Sequence, residues 1–352
     1  MSVRVSVSAR VIDRNVGGNT RYSRELHTHG AAPYTSELLR PAVRITSSRA
    51  RSAAYAAMEG FHWPISAAGD VLHYPADTGP LRSGRIPIVT TVHGLAYRHV
   101  PTVRSPRAQA LWTRRVRSAI QYSDHLITVS QSSADDIMAE FGVPAAHISV
   151  IPHGVDAKFS PGPVSEPERA ELASLGFPDR FVLYVGNIEP RKNLIALAAA
   201  AAGVFKRTGH EIVVAGAAAW DSAPILDALE DSPGLRYVGR LPEHLLVPAY
   251  RSASIFCFPS LYEGFGLPVL EAMATGLPVA CTRAGSLAEV TGGHAALIAG
   301  ATSDQIADTL VSTLDDGEGL ADLARSGRDH AKRFSWNASR SAHSAVFEQV
   351  SR

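Results

Sequence analysis

The stretch SIFCFPSLYEGFGLPVLEAMATGLPVACTRA, residues 254–284, combines two continuous apolar runs with a helical pattern between them. The runs SIFCFPS and PVACTRA lack the polar alternation of a strand with one solvated face, and Pro268 suits the first turn of a helix. A strand, a helix and a second strand in this order are typical of a parallel sheet that is covered on both faces. The stretch therefore predicts an α/β fold.

The same alternation continues on both sides of this stretch. From residue 181 onward, apolar runs such as FVLYVGN, EIVVAG and LRYVGR alternate with helical patterns, and the first 155 residues repeat the theme less regularly. Pro and Gly interrupt any regular pattern between residues 157 and 180. Because 352 residues is the length of about two domains, we predict two Rossmann-like domains facing a central cleft. Ligands of such sheets bind beyond the carboxyl ends of the strands.

Composition and charge argue against several classes of protein. Hydrophobic residues make up 45% of the chain and charged residues 19%, as in ordinary globular proteins. The net charge of +1 argues against a partner such as nucleic acid. Cys257 and Cys281 lie in apolar runs and are expected to be reduced core residues, which favours a cytoplasmic location. We expect neither a membrane span nor a signal peptide, since no apolar run is long enough and the first residues lack an apolar core.

The turn between strand and helix in the opening stretch predicts an anion site. It contains Glu263, Gly264 and Gly266, and the N–H groups at the start of the helix suit a phosphate or diphosphate. Acidic side chains beside such a site should accept hydrogen bonds from neutral hydroxyls. We expect Glu271 to bind a ribose diol and Glu263 to bind the hydroxyls of a hexose. A glutamate that caps its own helix and a solvated loop glutamate are the alternatives.

A pair of cations follows the predicted strand FVLYVG. Arg191 and Lys192 lie in GNIEPRKN, residues 186–193, where a turn leads into a helix. Such a pair on a helix is usually solvated, but at the carboxyl end of a central strand it is placed to meet an anionic ligand. Arginine supplies a fork and lysine a point charge to phosphate oxygens. We therefore predict that both cations neutralise a leaving diphosphate.

Two features of the first half are less specific. Gly17 and Gly18 follow the first strand and precede a helix, where glycine lets the backbone approach a ligand closely. A plain loop is the alternative there. His93 ends an apolar strand, which suits either contact with a transferred group or a structural role.

Residues 104–121, RSPRAQALWTRRVRSAIQ, have the pattern of a basic amphipathic helix. Its five arginines surround Leu111 and Trp112, and they are Arg104, Arg107, Arg114, Arg115 and Arg117. Such a helix suits peripheral contact with anionic lipid at the inner face of a membrane, or with a charged acceptor. It equally suits the solvated face of an element that packs on the core, and both interpretations stay open.

The sequence contains none of the motifs that are typical of metal sites, P-loop phosphoryl transfer or NAD binding. His27 and His29 are two positions apart, and no cluster of Asp, Glu and His has metal-ligand spacing, so we predict no metal site. The absence of a GxxxxGK[ST] loop argues against phosphoryl transfer of the P-loop kind. The order of residues in GFGLPVL argues against an NAD enzyme.

The chain resembles the retaining glycosyltransferases of family 4, which have the GT-B fold. The resemblance rests on GNIEPRKN and on PSLYEGFGLPVLEAMATGLPV, residues 259–279, whose Glu263 and Glu271 match the family's pair of glutamates with seven residues between them. It implies a hexosyltransferase that moves a sugar from a nucleotide diphosphate donor to an acceptor hydroxyl on a glycan, glycolipid or small molecule. It also implies that the anomeric configuration is kept and that neither a metal nor a cofactor is needed.

The resemblance further assigns domains and residues. It implies an acceptor-binding domain over residues 1–160, a nucleotide-sugar-binding domain over 175–330, and a C-terminal helix over 331–352 that crosses back to the first domain. The implied catalytic residues are His93, Arg191, Lys192 and Glu263. The implied donor-binding residues are Gly17, Gly18, Arg240, Leu241, Phe265, Gly266, Leu267 and Glu271.

One position departs from the family pattern. Relatives with EPRKN tend to have His-Asp where this chain has His93 and Gly94. That subgroup often uses GDP-mannose, which we therefore expect as donor before a UDP-sugar. The alternatives are a nucleotide-sugar epimerase or a glycogen-phosphorylase-like enzyme on a similar scaffold, and a non-catalytic nucleotide-sugar-binding protein.

Overall fold

The computed structural model describes residues 2–15, 17–42, 46–100 and 106–352. It divides into two compact units: within those residues, the first takes 2–97, 106–154 and 334–352, and the second takes 98–100 and 155–333. Each unit contains a six-stranded sheet whose strands all run parallel. The predicted α/β class with two Rossmann-like halves is confirmed.

The sheet of the first unit consists of short, mostly apolar strands. They are β1 (Arg4–Ser8), β2 (Thr35–Leu39), β3 (Val71–Tyr74), β4 (Ile88–Val92), β5 (His125–Thr128) and β6 (Ile148–Val150), in the order β2-β1-β3-β4-β5-β6. Apolar runs predict all of these strands except β2. Its sequence TSELL mixes polar and apolar residues because an edge strand is only partly covered.

Helices in the first part of the chain follow the strands as crossover connections do. They are α1 (Arg10–Arg14), α2 (Gly18–His27), α3 (Ser48–Ala57), α4 (Trp63–Ser66), α5 (Ala96–His99), α6 (Pro106–Gln121) and α7 (Gln131–Phe141). A π-helical stretch over Met58–His62 joins α3 to α4, and Ala145–His147 form a 3₁₀ turn before β6. Gly17 precedes α2 with a φ of 78°, a left-handed conformation that glycine adopts without strain.

The sheet of the second unit places two central strands beside each other. Its strands are β7 (Phe181–Val185), β8 (Glu211–Ala215), β9 (Leu235–Gly239), β10 (Ile255–Phe258), β11 (Val279–Cys281) and β12 (Ala296–Leu297), in the order β12-β11-β10-β7-β8-β9. Because β7 and β10 are parallel neighbours, the residues that follow them meet at one edge of the sheet. Cys257 and Cys281 are free and buried in β10 and β11, as the apolar runs predict.

The helices of the second unit cover this sheet. They are α8 (Glu166–Ser174), α9 (Leu194–Thr208), α10 (Ala223–Glu230), α11 (Glu243–Ser252), α12 (Leu267–Thr275), α13 (Leu287–Thr291), α14 (Ser303–Asp315) and α15 (Gly317–Ala331), with a 3₁₀ turn at Pro190–Lys192 before α9.

The segment that was expected to be irregular contains α8. Ser165 and Glu168 form a capping box there, and Pro167 sits in the first turn, where its missing N–H costs no hydrogen bond. This segment packs within the second unit, since the Arg251 guanidinium donates to the Ser160 carbonyl at 2.8 Å. The longer segment of the second unit begins at residue 155, whereas the resemblance places the end of the first domain at residue 160.

The last helix, α16 (Trp336–Val350), follows the second unit in the chain but belongs to the first. Val346 and Phe347 are buried in the core of the first unit together with Val5, Val7 and Ile127. The Arg340 guanidinium donates to the Glu25 carbonyl near the end of α2 at 2.7 Å, where a cation also suits the helix dipole.

Candidate functional site

A cluster of buried ion pairs lies at the carboxyl edge of the second sheet. Arg191 and Lys192 occupy the 3₁₀ turn after β7, and Glu263 follows β10. Lys192 Nζ lies 2.6 Å from Glu263 Oε1, and Arg191 Nη1 lies 2.8 Å from Glu263 Oε2. Three residues that the sequence assigns to donor binding are thus brought together by the fold.

Glu189 is a fourth member of this cluster, and it was missed in the sequence. Its Oε1 lies 2.5 Å from Arg191 Nε, and its Oε2 accepts a hydrogen bond from Trp220 Nε1 at 2.9 Å. Glu189 is the first residue of the EPRKN segment, so its closeness in sequence to Arg191 could have indicated that it joins the cluster. Trp220 comes from the loop after β8, and no local pattern indicates its contact. The two carboxylates balance the two cations, which is how a charged cluster can be buried.

The pKa values within the cluster follow from burial and from these partners. Burial would raise the pKa of Glu263, but Arg191 and Lys192 outweigh it and lower the value to about 2. Burial would lower the pKa of Arg191, but Glu263 and Glu189 outweigh it and raise the value. The pKa of Lys192 is lowered because burial and the neighbouring guanidinium prevail over the carboxylates. Lys192 Nζ also lies 4.5 Å from the centroid of the Phe258 ring, a favourable cation–π distance.

Backbone contacts from three loops hold Glu263 and Arg191 in place. The Glu263 carbonyl accepts hydrogen bonds from the N–H and the hydroxyl of Ser286, at 3.0 and 3.1 Å. A side chain on Gly285 would collide with the same carbonyl, and its φ of 60° also favours glycine. The Arg191 guanidinium donates to the Tyr262 carbonyl at 3.1 Å. The loops after β7, β10 and β11 therefore position the cluster jointly.

The N-terminus of α12 adjoins Glu263 in the chain. Gly266 precedes the helix with a φ of 94°, Pro268 lies in its first turn, and Phe265 and Leu267 are buried. Such a helix start attracts anions through its N–H groups and its dipole. Glu271 is buried in the second turn, where its Oε2 accepts a hydrogen bond from the Tyr250 hydroxyl at 3.1 Å.

Arg240 and Leu241 lie apart from the ion-pair cluster. They follow β9, which is the edge strand of the sheet and is separated from β7 by β8. Arg240 is exposed, and Leu241 is partly exposed. The two residues share the carboxyl edge of the sheet with Arg191 and Lys192, and their contact with a base stays a prediction.

The other predicted site residues belong to the first unit. His93 follows β4 and is partly buried; its backbone N–H donates to Asp77 Oδ1 at 2.7 Å, and its Nε2 lies 3.2 Å from the Pro75 carbonyl. Since a carbonyl only accepts, Nε2 carries the proton and Nδ1 is left as an acceptor. Burial lowers the pKa of His93, against the attraction of Asp77. Gly17 and Gly18 start α2.

The departure at Gly94 has a structural reason. Its φ of 132° lies in a region that favours glycine, so an aspartate there would be strained. In this chain a carboxylate reaches the main chain of His93 from Asp77, in the loop after β3. No spacing in the sequence indicates this contact between the loops after β3 and β4.

Helix α6 exposes part of the predicted basic face. Arg107, Arg114 and Arg117 are exposed around Leu111, whose side chain is 63% exposed. Arg115 is half-buried, and Arg104 lies outside the described residues. In the part of the chain that the structure describes, no helix combines the length and hydrophobicity that a bilayer crossing requires. The same residues contain no group of three or more His, Cys, Asp or Glu side chains suited to a metal ion.

Comparisons with known proteins match both halves of the chain. The family model described as Glycosyltransferase Family 4 matches residues 11–159, and that described as Glycosyl transferases group 1 matches residues 179–316. The chain is 30% identical over 258 residues to O-antigen chain mannosyltransferase B of Escherichia coli, an alignment that covers 70% of this chain and 66% of that protein. It is 28% identical over 367 residues to D-inositol 3-phosphate glycosyltransferase of Corynebacterium glutamicum, covering 99% of this chain and 84% of that protein.

A solved structure shares the fold. Sucrose-phosphate synthase from Thermosynechococcus elongatus superposes with a TM-score of 0.72 at 19% identity, covering 99% of this chain and 98% of that one. Together with the two parallel sheets, this confirms the predicted GT-B fold class.

Proposed function

Because the chain belongs to the glycosyltransferases of family 4, we propose that it transfers a hexose from a nucleotide diphosphate sugar to an acceptor hydroxyl, with retention of configuration and without a metal ion. The observation that carries this proposal is the buried cluster of Arg191, Lys192 and Glu263 beside the start of α12. Such a cluster supplies fixed charges where a diphosphate leaves a sugar.

In this proposal the diphosphate binds to the two cations and to the helix start. Departure of the diphosphate builds negative charge on its oxygens and positive charge on the sugar ring. Arg191, whose raised pKa keeps it charged, and Lys192 stabilise the developing anion together with the N–H groups near Gly266. Because these donors are already fixed by Glu263, Glu189 and the backbone, they need little rearrangement during the reaction.

The glutamates and the histidine then bind the neutral parts of the donor. Glu263, with a pKa of about 2, stays ionised and accepts hydrogen bonds from hexose hydroxyls. Glu271 binds the ribose, and the Nδ1 acceptor of His93 takes a hydroxyl close to the anomeric carbon. The acceptor hydroxyl attacks on the face that the diphosphate leaves, and a phosphate oxygen takes its proton. Retention follows from this geometry.

GDP-mannose is the donor that the proposal favours. It is supported by the EPRKN segment and by the similarity to a protein named as a mannosyltransferase. A UDP-sugar is the next candidate. The acceptor is a hydroxyl on a glycan, a glycolipid or a small molecule.

The first test measures the thermal unfolding midpoint with UDP, GDP, dTDP and ADP, each with and without EDTA. A ligand that binds only the folded chain raises the midpoint by mass action. We expect a rise with one nucleotide diphosphate that persists in EDTA and is lost in Arg191→Ala/Lys192→Ala. The matched control is Lys158→Ala/Arg207→Ala, which removes two exposed cations of the same unit.

The second test adds the corresponding nucleotide sugars and candidate acceptors. Release of free nucleotide diphosphate that requires an acceptor, with the donor's anomeric configuration in the product, is the expected result. No midpoint shift with any nucleotide at millimolar concentration would count against the proposal and favour a non-catalytic protein. Conversion of the donor sugar without an acceptor would favour an epimerase.

A further inference from the structure

A continuous series of hydrogen bonds, mostly buried, runs through the first unit, and Tyr22, one of its inner members, packs against His93. Its links join α2, β2, β3, β4 and α16, and each is 2.7 to 2.9 Å long. In order, the groups are the Ser36 hydroxyl, His27, His73, the Thr91 hydroxyl, the Tyr22 hydroxyl, His343 and the Ser339 carbonyl.

The direction of every hydrogen bond in this chain is fixed from one end. The Ser339 carbonyl only accepts, so His343 Nδ1 carries a proton. Because burial keeps this imidazole neutral, its Nε2 accepts from the Tyr22 hydroxyl. The Tyr22 oxygen then accepts from Thr91, whose own oxygen accepts from His73 Nε2.

The remaining two links follow in the same way. His73 Nδ1 accepts from His27 Nε2, and His27 Nδ1 accepts from Ser36. Each of the three neutral histidines thus uses one nitrogen as donor and one as acceptor.

The pKa values agree with this pattern. Burial lowers the pKa of His27 to about 3 and that of His343 to about 4, and it lowers that of His73 well below its ordinary value. The titratable and charged groups packed around these hydrogen bonds come from α2, the residue before β2, the loops after β3, β4 and β6, and α16. They are Glu25, Tyr34, Asp77, His93, His153 and Arg340. At neutral pH, the hydrogen bonds from Ser36 to Ser339 therefore keep one donor-to-acceptor direction.

The ring of Tyr22 connects this chain to His93. Tyr22 is fully buried, and its ring meets that of His93 edge-on, with the centroids 4.7 Å apart and the planes at 87°. It meets His153 in a similar way at 5.0 Å. Among the described residues, the hydrogen-bond partner of the His93 imidazole is the Pro75 carbonyl, 3.2 Å from Nε2. The orientation of the imidazole therefore depends on the aromatic rings packed around it.

We propose that Tyr22 and His343 are positioning residues that hold His93 for the sugar-transfer reaction. Tyr22 donates a hydrogen bond to His343 and accepts one from Thr91, and these two contacts fix the phenol. The phenol in turn fixes the imidazole ring whose Nδ1 contacts the sugar. This inference rests on the proposed function for the role of His93. It does not depend on which nucleotide or acceptor the protein uses.

The test compares Tyr22→Phe with Tyr34→Phe in the full chain. Each change removes one buried tyrosine hydroxyl that lies in or next to α2. The Tyr34 hydroxyl, however, donates to the Leu26 carbonyl and takes no part in the hydrogen bonds that connect Ser36 to Ser339. The first readout is the ¹⁵N spectrum of labelled histidine side chains between pH 5 and 8. It reports the protonated nitrogen of each imidazole and the pKa of His93. The second readout is kcat and KM for donor turnover.

We expect Tyr22→Phe to move the His93 resonances and its pKa and to lower kcat about tenfold, because misplacing one reacting group is costly. The KM for the donor should change less than about threefold, since the diphosphate is held by the second unit. Tyr34→Phe should leave both readouts at wild-type values. Thr91→Val removes the links to His73 and to Tyr22 while keeping the side-chain shape. It should move the His93 resonances in the same direction, and it serves if Tyr22→Phe does not fold.

Equal effects of Tyr22→Phe and Tyr34→Phe on the His93 resonances and on kcat would overturn the positioning role. So would unchanged His93 resonances in both Tyr22→Phe and Thr91→Val. If the wild-type protein turns over no donor, the proposed function fails. The comparison of His93 resonances then still decides whether Tyr22 orients the imidazole.

Discussion

Glu263 is buried and accepts charge-assisted contacts from two cations, so a change of its side chain should affect both activity and stability. We expect Glu263→Gln to lower kcat about a hundredfold, since the amide neither balances the cations nor binds the hexose as a carboxylate does. It should also lower the thermal midpoint, because the buried Lys192 and the partly buried Arg191 lose their common partner. Steady-state kinetics and thermal unfolding measure the two effects.

The matched control for this change is Glu243→Gln. Glu243 forms the same kind of pair with Lys158, at 2.9 Å, but its side chain is 82% exposed. An exposed pair contributes little, so the control should leave both midpoint and kcat nearly unchanged. If the two variants lost similar amounts of kcat and thermal midpoint, the effect of Glu263→Gln would not be due to the burial of its ion pairs.

Single residues also show what the sequence alone can predict about the site. Arg191, Lys192 and Glu263 were predicted because each follows an apolar strand within a dense local motif, and parallel neighbours bring such positions together. The contacts of Glu189 with Trp220, and of His93 with Asp77, join different loops. Their partners are fixed by packing, so no spacing in the sequence reveals them.

At the scale of elements, prediction succeeded where a strand is fully covered. Continuous apolar runs mark β7 and β10, because both faces of a central parallel strand are buried. It failed for β2, which is at the edge, and for α8, whose start is crowded with Pro and Ser that read as a loop. In α8 the same residues cap the start of the helix. Only Glu168, three residues after Ser165, distinguishes a capped helix from an irregular loop in the sequence.

The exposed face of α6 leads to a prediction about membranes. Arg107, Arg114 and Leu111 combine positive charge with an exposed apolar side chain, which suits a surface of anionic lipid. We expect the protein to bind vesicles that contain anionic lipid, to release them as salt is raised, and to bind them at least about tenfold more weakly as Arg107→Glu/Arg114→Glu. Vesicle co-sedimentation measures this binding.

A change of equal charge elsewhere provides the control. Lys206→Glu/Arg207→Glu on α9 alters two exposed cations of the second unit. If both double variants lose vesicle binding equally, net charge and not α6 is responsible. If the wild type shows no binding to anionic vesicles at low salt, α6 is simply the solvated face of a core-packed helix.

The neutral histidines that link α2 and α16 predict a weakness towards acid. The folded-state pKa values of His27 and His343, about 3 and about 4, lie below the ordinary value of 6.5. The folded state thus binds fewer protons than the unfolded state, and the stability that is present above pH 6.5 is lost as the pH falls towards 4. Lowering the pH from 7 to 5 should reduce hydrogen-exchange protection in α2 and α16 more than in α9 and α12, after correction for intrinsic rates. Equal losses in all four helices would contradict this.

At the scale of the whole molecule, the chain order and the spatial units differ. The helix α16 comes last in the chain, yet it completes the core that starts with β1 and β3. Composition and periodicity describe α16 as an amphipathic helix and cannot name the sheet that it covers. That assignment came only from the resemblance to a family, and the packing of Val346 and Phe347 against Val5 supplies its physical cause.

This arrangement predicts that a change near the C-terminus weakens the first unit and spares the donor site. Phe347 is fully buried, so Phe347→Ala should cost the first unit about 3–5 kcal/mol and lower its unfolding transition. The ion pairs of Arg191, Lys192 and Glu263 lie entirely in the second unit, so the midpoint increase of the second unit with the preferred nucleotide diphosphate should persist.

Phe205→Ala on α9 is the control, because Phe205 is 48% exposed and its removal should change neither transition by much. Calorimetry with and without the nucleotide separates the two units. Loss of the nucleotide effect in Phe347→Ala at a temperature where the second unit stays folded would mean that the diphosphate is held largely by the first unit. In that case Gly17 and Gly18, and not the cations after β7, would be the principal contacts of the donor.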